Sequence, residues 1–251
     1  MRKTTFQNDY YYHIYNRGVD KWNIFMNKRD YERFLEGMKE FNTVKQIDSL
    51  YRLRKLKKEA ARAPRLLYSS LGAKDSSLGV RDSSLGVRDS SLGAKDSSLG
   101  APPDALVKII AYALLPNHFH FLLRQIKEGG ISKFMQKVGQ GCTNYFNRRY
   151  DRVGSLFQGP YQSVPVKTES YWLKISCYIN GNPEIHGLVK RAQDWDYSSY
   201  RDYLSMRNGT LCDKQVILKD FGNLQEYKKL TDYTIKESRE LKFEIRKYCL
   251  E

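Results

Sequence analysis

The chain has 251 residues, with 43 Lys and Arg against 28 Asp and Glu, a formal charge of +15, and an aromatic complement of 19 Tyr, 11 Phe and 3 Trp. That length holds one core domain plus additions, and the basic surplus fits a polyanionic partner, although ordinary soluble proteins also carry such a surplus. The composition argues against several classes: no run approaches the 18 apolar residues of a membrane span, Met1 to Asn8 lacks the apolar segment of a secretory signal, and neither a P-loop nor a dinucleotide fingerprint is present. A cytoplasmic protein with no membrane partner and no nucleotide cofactor is expected. Cys142, Cys177, Cys212 and Cys249 show no close pairing and no metal-type spacing, so reduced thiols are the default.

Taken in chain order, the aromatic-rich run from Tyr10 to Arg17 reads as a first strand, followed by Gly18 as a turn residue. Tyr31, Phe34, Leu35, Met38 and Phe41 then mark a helix at 3.6-residue spacing. Arg52 to Arg65 is basic and helix-compatible, and either extends that helix as a solvated charged face or touches DNA. Ser69 to Ala101 repeats S-S-L-G-A/V-K/R-D with a period of seven. Each unit has one Leu, one small apolar residue and a Gly that opposes helix, so this is no coiled coil and disorder is expected. Without Arg52 to Ala101 the chain still has 32 basic residues against 23 acidic ones. Leu106 to Leu115 reads as a buried strand, Pro116-Asn117 as a turn, and His118 to Leu123 as the second strand of a hairpin. Ile131, Phe134, Met135, Val138, Cys142, Tyr145 and Phe146 mark a second long helix, and Gln162 to Lys167 a last strand. A short helix follows from Glu169, with Tyr171, Trp172, Ile175 and Ile179 on one face and with Gly181 and Pro183 as its stop. Leu204 to Glu251 is charged and amphipathic, fit to clasp the core, bind DNA or make dimer contacts. The order predicts an α+β fold, an antiparallel sheet with helices packed on it.

The chemistry concentrates in two places. At strand spacing His118 and His120 share a face while Phe119 and Phe121 point into a core, which makes the pair half of a divalent-metal site, or a coincidence on an amphipathic strand. Tyr178 and Asn182, four residues apart on a helix, place a phenol and a carboxamide one turn apart; the plainer reading makes Tyr178 one more packing tyrosine. His13 and His186 lack partners at ligand spacing and read as structural.

In its motifs the sequence resembles the single-tyrosine HUH transposases. His118-Phe119-His120 is similar to their histidine-hydrophobe-histidine motif, and Tyr178-Ile179-x-x-Asn182-Pro183 to the segment carrying their nucleophilic tyrosine. The REP-associated tyrosine transposases, related to the IS200-like enzymes, add matches at His13 to Gly18, Asn23 to Phe25, Gly154 to Gln158 and Trp195 to Tyr200. The resemblance runs from about residue 10 to 203, apart from the insertion. It implies a ferredoxin-like or RRM-like core over 1–51 and 102–203, interrupted by the basic and repeat insertion 52–101 and followed by a helical extension 204–251. His118, His120 and Asn182 would hold Mg²⁺ or Mn²⁺, and Tyr178, near the histidine strand, would cleave single-stranded DNA through a covalent 5′-phosphotyrosine. A homodimer acting on a single-stranded end with a hairpin is also implied. Arg17, Gln158 and Lys167 lie in the resembling segments as weaker candidates for DNA contact.

The residue chemistry agrees with that assignment. A phenol, with a reference pKa of about 10, needs a neighbouring cation to act as a nucleophile near neutral pH. Imidazoles and an amide oxygen suit a hard to borderline ion with open positions, although histidine is not magnesium's preferred ligand. Two other readings compete: a non-catalytic nucleic-acid-binding module of RRM-like fold, and a hydrolytic metalloenzyme in which Tyr178 only packs.

Overall fold

The computed structural model describes residues 5–47, 50–59, 104–221 and 223–248, the last six without their side chains. Contacts divide the chain into two compact units, one of residues 1–46 and 99–251 and one of 47–98. In the second unit 50–59 are helical, with Lys55 and Glu59 paired at i,i+4; the repeat from Ser69 to Ala101 lies outside the described residues.

The larger unit is built on β1 (Tyr11–Arg17), α1 (Lys28–Glu40), β2 (Val107–Leu115), β3 (His118–Gln125), α2 (Gly130–Arg149), β4 (Gln162–Val166) and α3 (Glu169–Ile185). The four strands form one antiparallel sheet in the order β2-β3-β1-β4, the α+β arrangement of the ferredoxin-like fold. β3 is therefore central, held on both sides, and its register puts His120 opposite Tyr15 on β1 and Ala113 on β2.

Period two divides the sheet. Phe119 and Phe121 stack on each other and meet Phe34 of α1, and Ile131, Phe134 and Met38 complete that layer as buried side chains of α1 and α2. The opposite face carries Leu122, Ala111 and Ala113 in one apolar cluster with Trp172, Ile175 and Ile179 of α3. The two alanines leave room for the helix, and each large apolar side chain buried there contributes about 1.5–3 kcal/mol.

Both exposed sides of the sheet are managed. On the β2 edge, Leu114 N donates to Tyr197 O and Ser199 N to Tyr112 O, and Trp195 Nε1 donates to Leu114 O. The stretch from Trp195 to Ser199 thus covers an edge that would otherwise be open. On the other edge, Pro165 sits in β4, where an outward-facing missing N–H costs no ladder bond.

α3 departs from the sequence expectation. It runs through Gly181 and Pro183 instead of ending there, because both face inward. A Cβ on Gly181 would stand 2.6 Å from Ile235 Cγ1, so glycine serves close packing at that point. The actual stop is Gly187 at φ +71°, with Gly187 N bonded to Glu184 O and Leu188 N to Pro183 O, a Schellman ending. Gly18 likewise differs from a plain turn glycine: its φ is −63°, and the constraint is the Trp22 carbonyl, 2.2 Å from where a Cβ would lie.

Short helices α4 (Tyr200–Tyr203) and α5 (Gln215–Leu218) lead into the long α6 (Leu224–Tyr248), which lies along α3. Tyr227 Oη accepts from Asn180 Nδ2, Ile235 fills the space over Gly181, and Arg239 donates to the Glu184 carbonyl and pairs with its carboxylate. Among the described residues no helix is long and apolar enough to cross a membrane.

Candidate active site

A cleft of about 630 Å³ opens where the C-terminal end of β1, the start of β3 and the middle of α3 meet. Its floor is the polar end of the face that α3 otherwise seals. His118, His120 and Tyr178 line it together with Tyr15, Arg17, Lys21, Gln158, His186 and Lys242. Among the described residues that line it, three carry a fixed positive charge and none is acidic.

The histidines are held as neutral bases. His118 Nδ1 lies 2.6 Å from Asn117 Oδ1; an amide oxygen only accepts, so Nδ1 carries the hydrogen and the Nε2 lone pair is the one on offer. His120 Nδ1 is 2.9 Å from His13 Nε2 across the strand pair. With the proton on His120 Nδ1, that bond fixes the ring and presents Nε2, as a second-sphere partner does for a metal-binding imidazole. Burial pushes the pKa of His118 and of His13 down to about 4; His186 and Lys242 lower His118 further, whereas Asn182 opposes the shift. His120 is pushed well below the ordinary value, first by burial and then by the neighbouring histidines. All three rings therefore carry lone pairs near neutral pH.

On α3, Tyr178, Asn182 and His186 follow at steps of four and form one stripe toward the cleft. The Tyr178 ring stands edge-on to His120, at 5.9 Å between centroids, and to His13, at 6.3 Å. Asn182 is fully buried beside His118, whose ring interacts with its side chain; its Nδ2 reaches Tyr178 O at 3.4 Å, while its Oδ1 receives no hydrogen bond of good geometry among the described residues. A buried carbonyl oxygen without a good donor costs about 1–3 kcal/mol, and an acceptor-only atom beside the His118 imidazole is what a cation would satisfy. The His186 ring lies 4.9 Å from that of His118 and accepts from Lys242 Nζ at 3.0 Å. Among the described residues no three His, Cys, Asp or Glu side chains converge as ligands, so the candidate set is two imidazoles and the Asn182 carboxamide.

The weaker candidates divide. Arg17 Nε donates to Gln158 Oε1, and Gln158 N donates to Arg17 O, so the stretch Gly154 to Gln158 lies against the end of β1 and both side chains line the cleft. Lys167 is exposed just past β4, where Val166 pairs with Tyr11 at the other end of β1, about 20 Å from Arg17 by strand rise. It does not line the cleft.

His13 and His186, read from sequence as structural, are both at the site. The signal for His186 is its place four residues after Asn182, hidden when the helix is stopped at Gly181. His13 had a weaker one: Tyr11, His13, Tyr15 and Arg17 alternate along one strand face.

Residues 103–182 match the family model described as "Transposase IS200 like". A solved structure described as the REP-associated tyrosine transposase bound to a REP hairpin is similar over 82% of this chain and 84% of that one, at 14% identity and a TM-score of 0.46. No curated protein matches the chain.

Proposed function

We propose that the chain, whose residues 103–182 match the IS200-like transposase model, is a metal-dependent transposase that cuts and rejoins single-stranded DNA through Tyr178. The observation that carries this reading is the meeting, in one cleft lined by cations, of the Tyr178 phenol with two neutral imidazoles and a buried amide oxygen that receives no hydrogen bond of good geometry among the described residues.

The donor set fits a divalent ion. His118 and His120 supply nitrogen lone pairs, Asn182 Oδ1 supplies an oxygen, and substrate and water take the rest, as Mg²⁺ or Mn²⁺ requires. Such an ion, when bound, polarises the phosphoryl oxygen and favours the phenolate.

The protein's own residues do the remainder. Arg17 and Lys21 draw a phosphodiester into the cleft and hold its charge, and exposed Trp22 beside Lys21 offers a face for an unpaired base. His13 and Asn117 keep the two imidazoles oriented. Tyr178 Oη attacks phosphorus and the bond to the 3′-oxygen breaks; the proton lost by the phenol is taken up, in sum, by the departing oxygen. The products are a 5′-phosphotyrosine and a free 3′-hydroxyl. Attack of a 3′-hydroxyl on that linkage reverses the step and rejoins the strand, with no nucleotide cofactor consumed. By the resemblance in sequence, the substrate is a single-stranded end with a hairpin and the working unit a homodimer.

The test uses labelled single-stranded DNA from the flanks of the protein's own gene, incubated with Mn²⁺ or EDTA and resolved on a denaturing gel. A protein-sized labelled band that needs Mn²⁺ and vanishes in Tyr178→Phe is the expected result. Tight binding with neither adduct nor cleavage would favour a non-catalytic binding module, and metal-dependent cleavage without an adduct a hydrolase.

A further inference from the structure

We infer that Lys242, near the end of α6, is a phosphate-positioning residue of the cleft, so that the C-terminal helix is part of the site and not an appendage to it. The inference rests on the transposase reading above for the reaction, but not for the binding role.

Lys242 enters the cleft from outside the core fold. It lines the same cavity as Tyr178 and His118 and donates to His186 Nε2 at 3.0 Å, while His186 lies against His118. An ammonium has three donors on a compact charge, so one centre can hold His186 and a phosphate oxygen together. Its position is built rather than incidental. α6 is fastened along α3, the helix that carries Tyr178, by Tyr227 on Asn180, by Ile235 over Gly181 and by Arg239 on Glu184. Those attachments fall on the helix face behind Tyr178, Asn182 and His186, and the next turn of α6 brings Lys242 over their end. Within the cleft Arg17 and Lys21 face it from the β1 side. Three cations around a cavity floored by neutral lone pairs form an electrostatic well for a group bearing one negative charge. Lys242 differs from the other two in reaching the site by way of the catalytic helix, so phosphate position and Tyr178 position are set by the same packing.

The proposal also explains a feature of α6 itself. Lys236, six residues earlier, is 77% exposed and pairs with Glu240 of its own helix, whereas Lys242 is half-buried against another element. The pair gives an internal control.

The experiment compares full-length wild type, Lys242→Ala, Lys242→Arg and Lys236→Ala. It measures the rate of labelled-adduct formation with the flanking single-stranded DNA and Mn²⁺, and the salt dependence of binding to the same DNA. Lys242→Ala should slow adduct formation by about tenfold to a hundredfold, the loss of one charge-assisted contact. It should also reduce the slope of log affinity against log salt by about 0.7. Lys242→Arg should restore most of both, and Lys236→Ala should change neither. If the arginine variant is as slow as the alanine variant, or if alanine leaves both rate and slope at wild-type values, the positioning role is wrong. Should wild type form no adduct at all, the transposase reading fails, and the salt slope still decides Lys242: a reduced slope keeps it as a phosphate contact, an unchanged one removes it.

Discussion

The two faces of β3 are made of the same few residues and do opposite things. Phe119 and Phe121 are buried against Phe34 of α1, while His118 and His120, one step along the same strand, lie beside a cleft. Buried polar groups on the two sides differ in the same way. Asp30 at the start of α1 accepts from the Met26 and Asn27 amides and from the Tyr145 and Tyr150 hydroxyls, and Arg149 lies 3.5 Å away. Asn182 Oδ1 receives no hydrogen bond of good geometry among the described residues. A polar group whose hydrogen bonds are complete is structural; one left open beside lone pairs of its own kind is held for a ligand.

The comparison breaks most readily at β3 itself. His120→Leu removes a candidate ligand but keeps an apolar volume in the sheet, so adduct formation should fall by about 10³-fold or more while the urea midpoint in EDTA stays close to wild type. Phe119→Ala should do the reverse, costing about 3–5 kcal/mol in urea unfolding through the cavity it leaves, with the adduct still formed by the protein that remains folded. Equal losses of stability in both variants would erase the distinction between the faces.

Smaller changes sharpen it. Asn182→Ala removes the open oxygen, and the Mn²⁺ concentration for half-maximal adduct formation should rise about tenfold while thermal stability shifts by under about 1 kcal/mol. Asp30→Ala strands four donors and should cost about 2–3 kcal/mol with the Mn²⁺ requirement unchanged. The gentlest test is pH. His13 and His118 titrate near 4 in the folded protein and near 6.5 once unfolded, so between those values the unfolded chain binds more protons. Stability of the EDTA-treated protein should therefore fall as pH drops from about 6.5 toward 4, beginning before most carboxylates titrate. A melting temperature flat from pH 6.5 to 5 would contradict the buried, neutral state of these rings.

Much of this was legible without coordinates because it depends on local spacing. Alternation in β3 and the heavy aromatic run of β1 give the sheet its strands, and the two helical periodicities place α1 and α2. The four-residue step from Tyr178 to Asn182 predicts their shared face. What escaped depends on partners far away in sequence. Gly181 and Pro183 look like a helix stop until Ile235 is seen to need the space over Gly181, and the early stop conceals His186. His13 gains its meaning from His120, 107 residues on. Lys242 is one lysine among many in a charged helix, and only the packing of α6 on α3 brings it to the cleft.

The central claim is that Tyr178 is the nucleophile, and Tyr15 is the rival that geometry offers, since its ring lies 5.7 Å from His120 in the same cleft. The most direct measurement is to isolate the protein-DNA adduct, digest it with protease and nuclease, and identify by mass spectrometry the peptide that carries the nucleotide. The account predicts a nucleotide-modified tyrosine at Tyr178. Modification at Tyr15, or on no tyrosine, would contradict it.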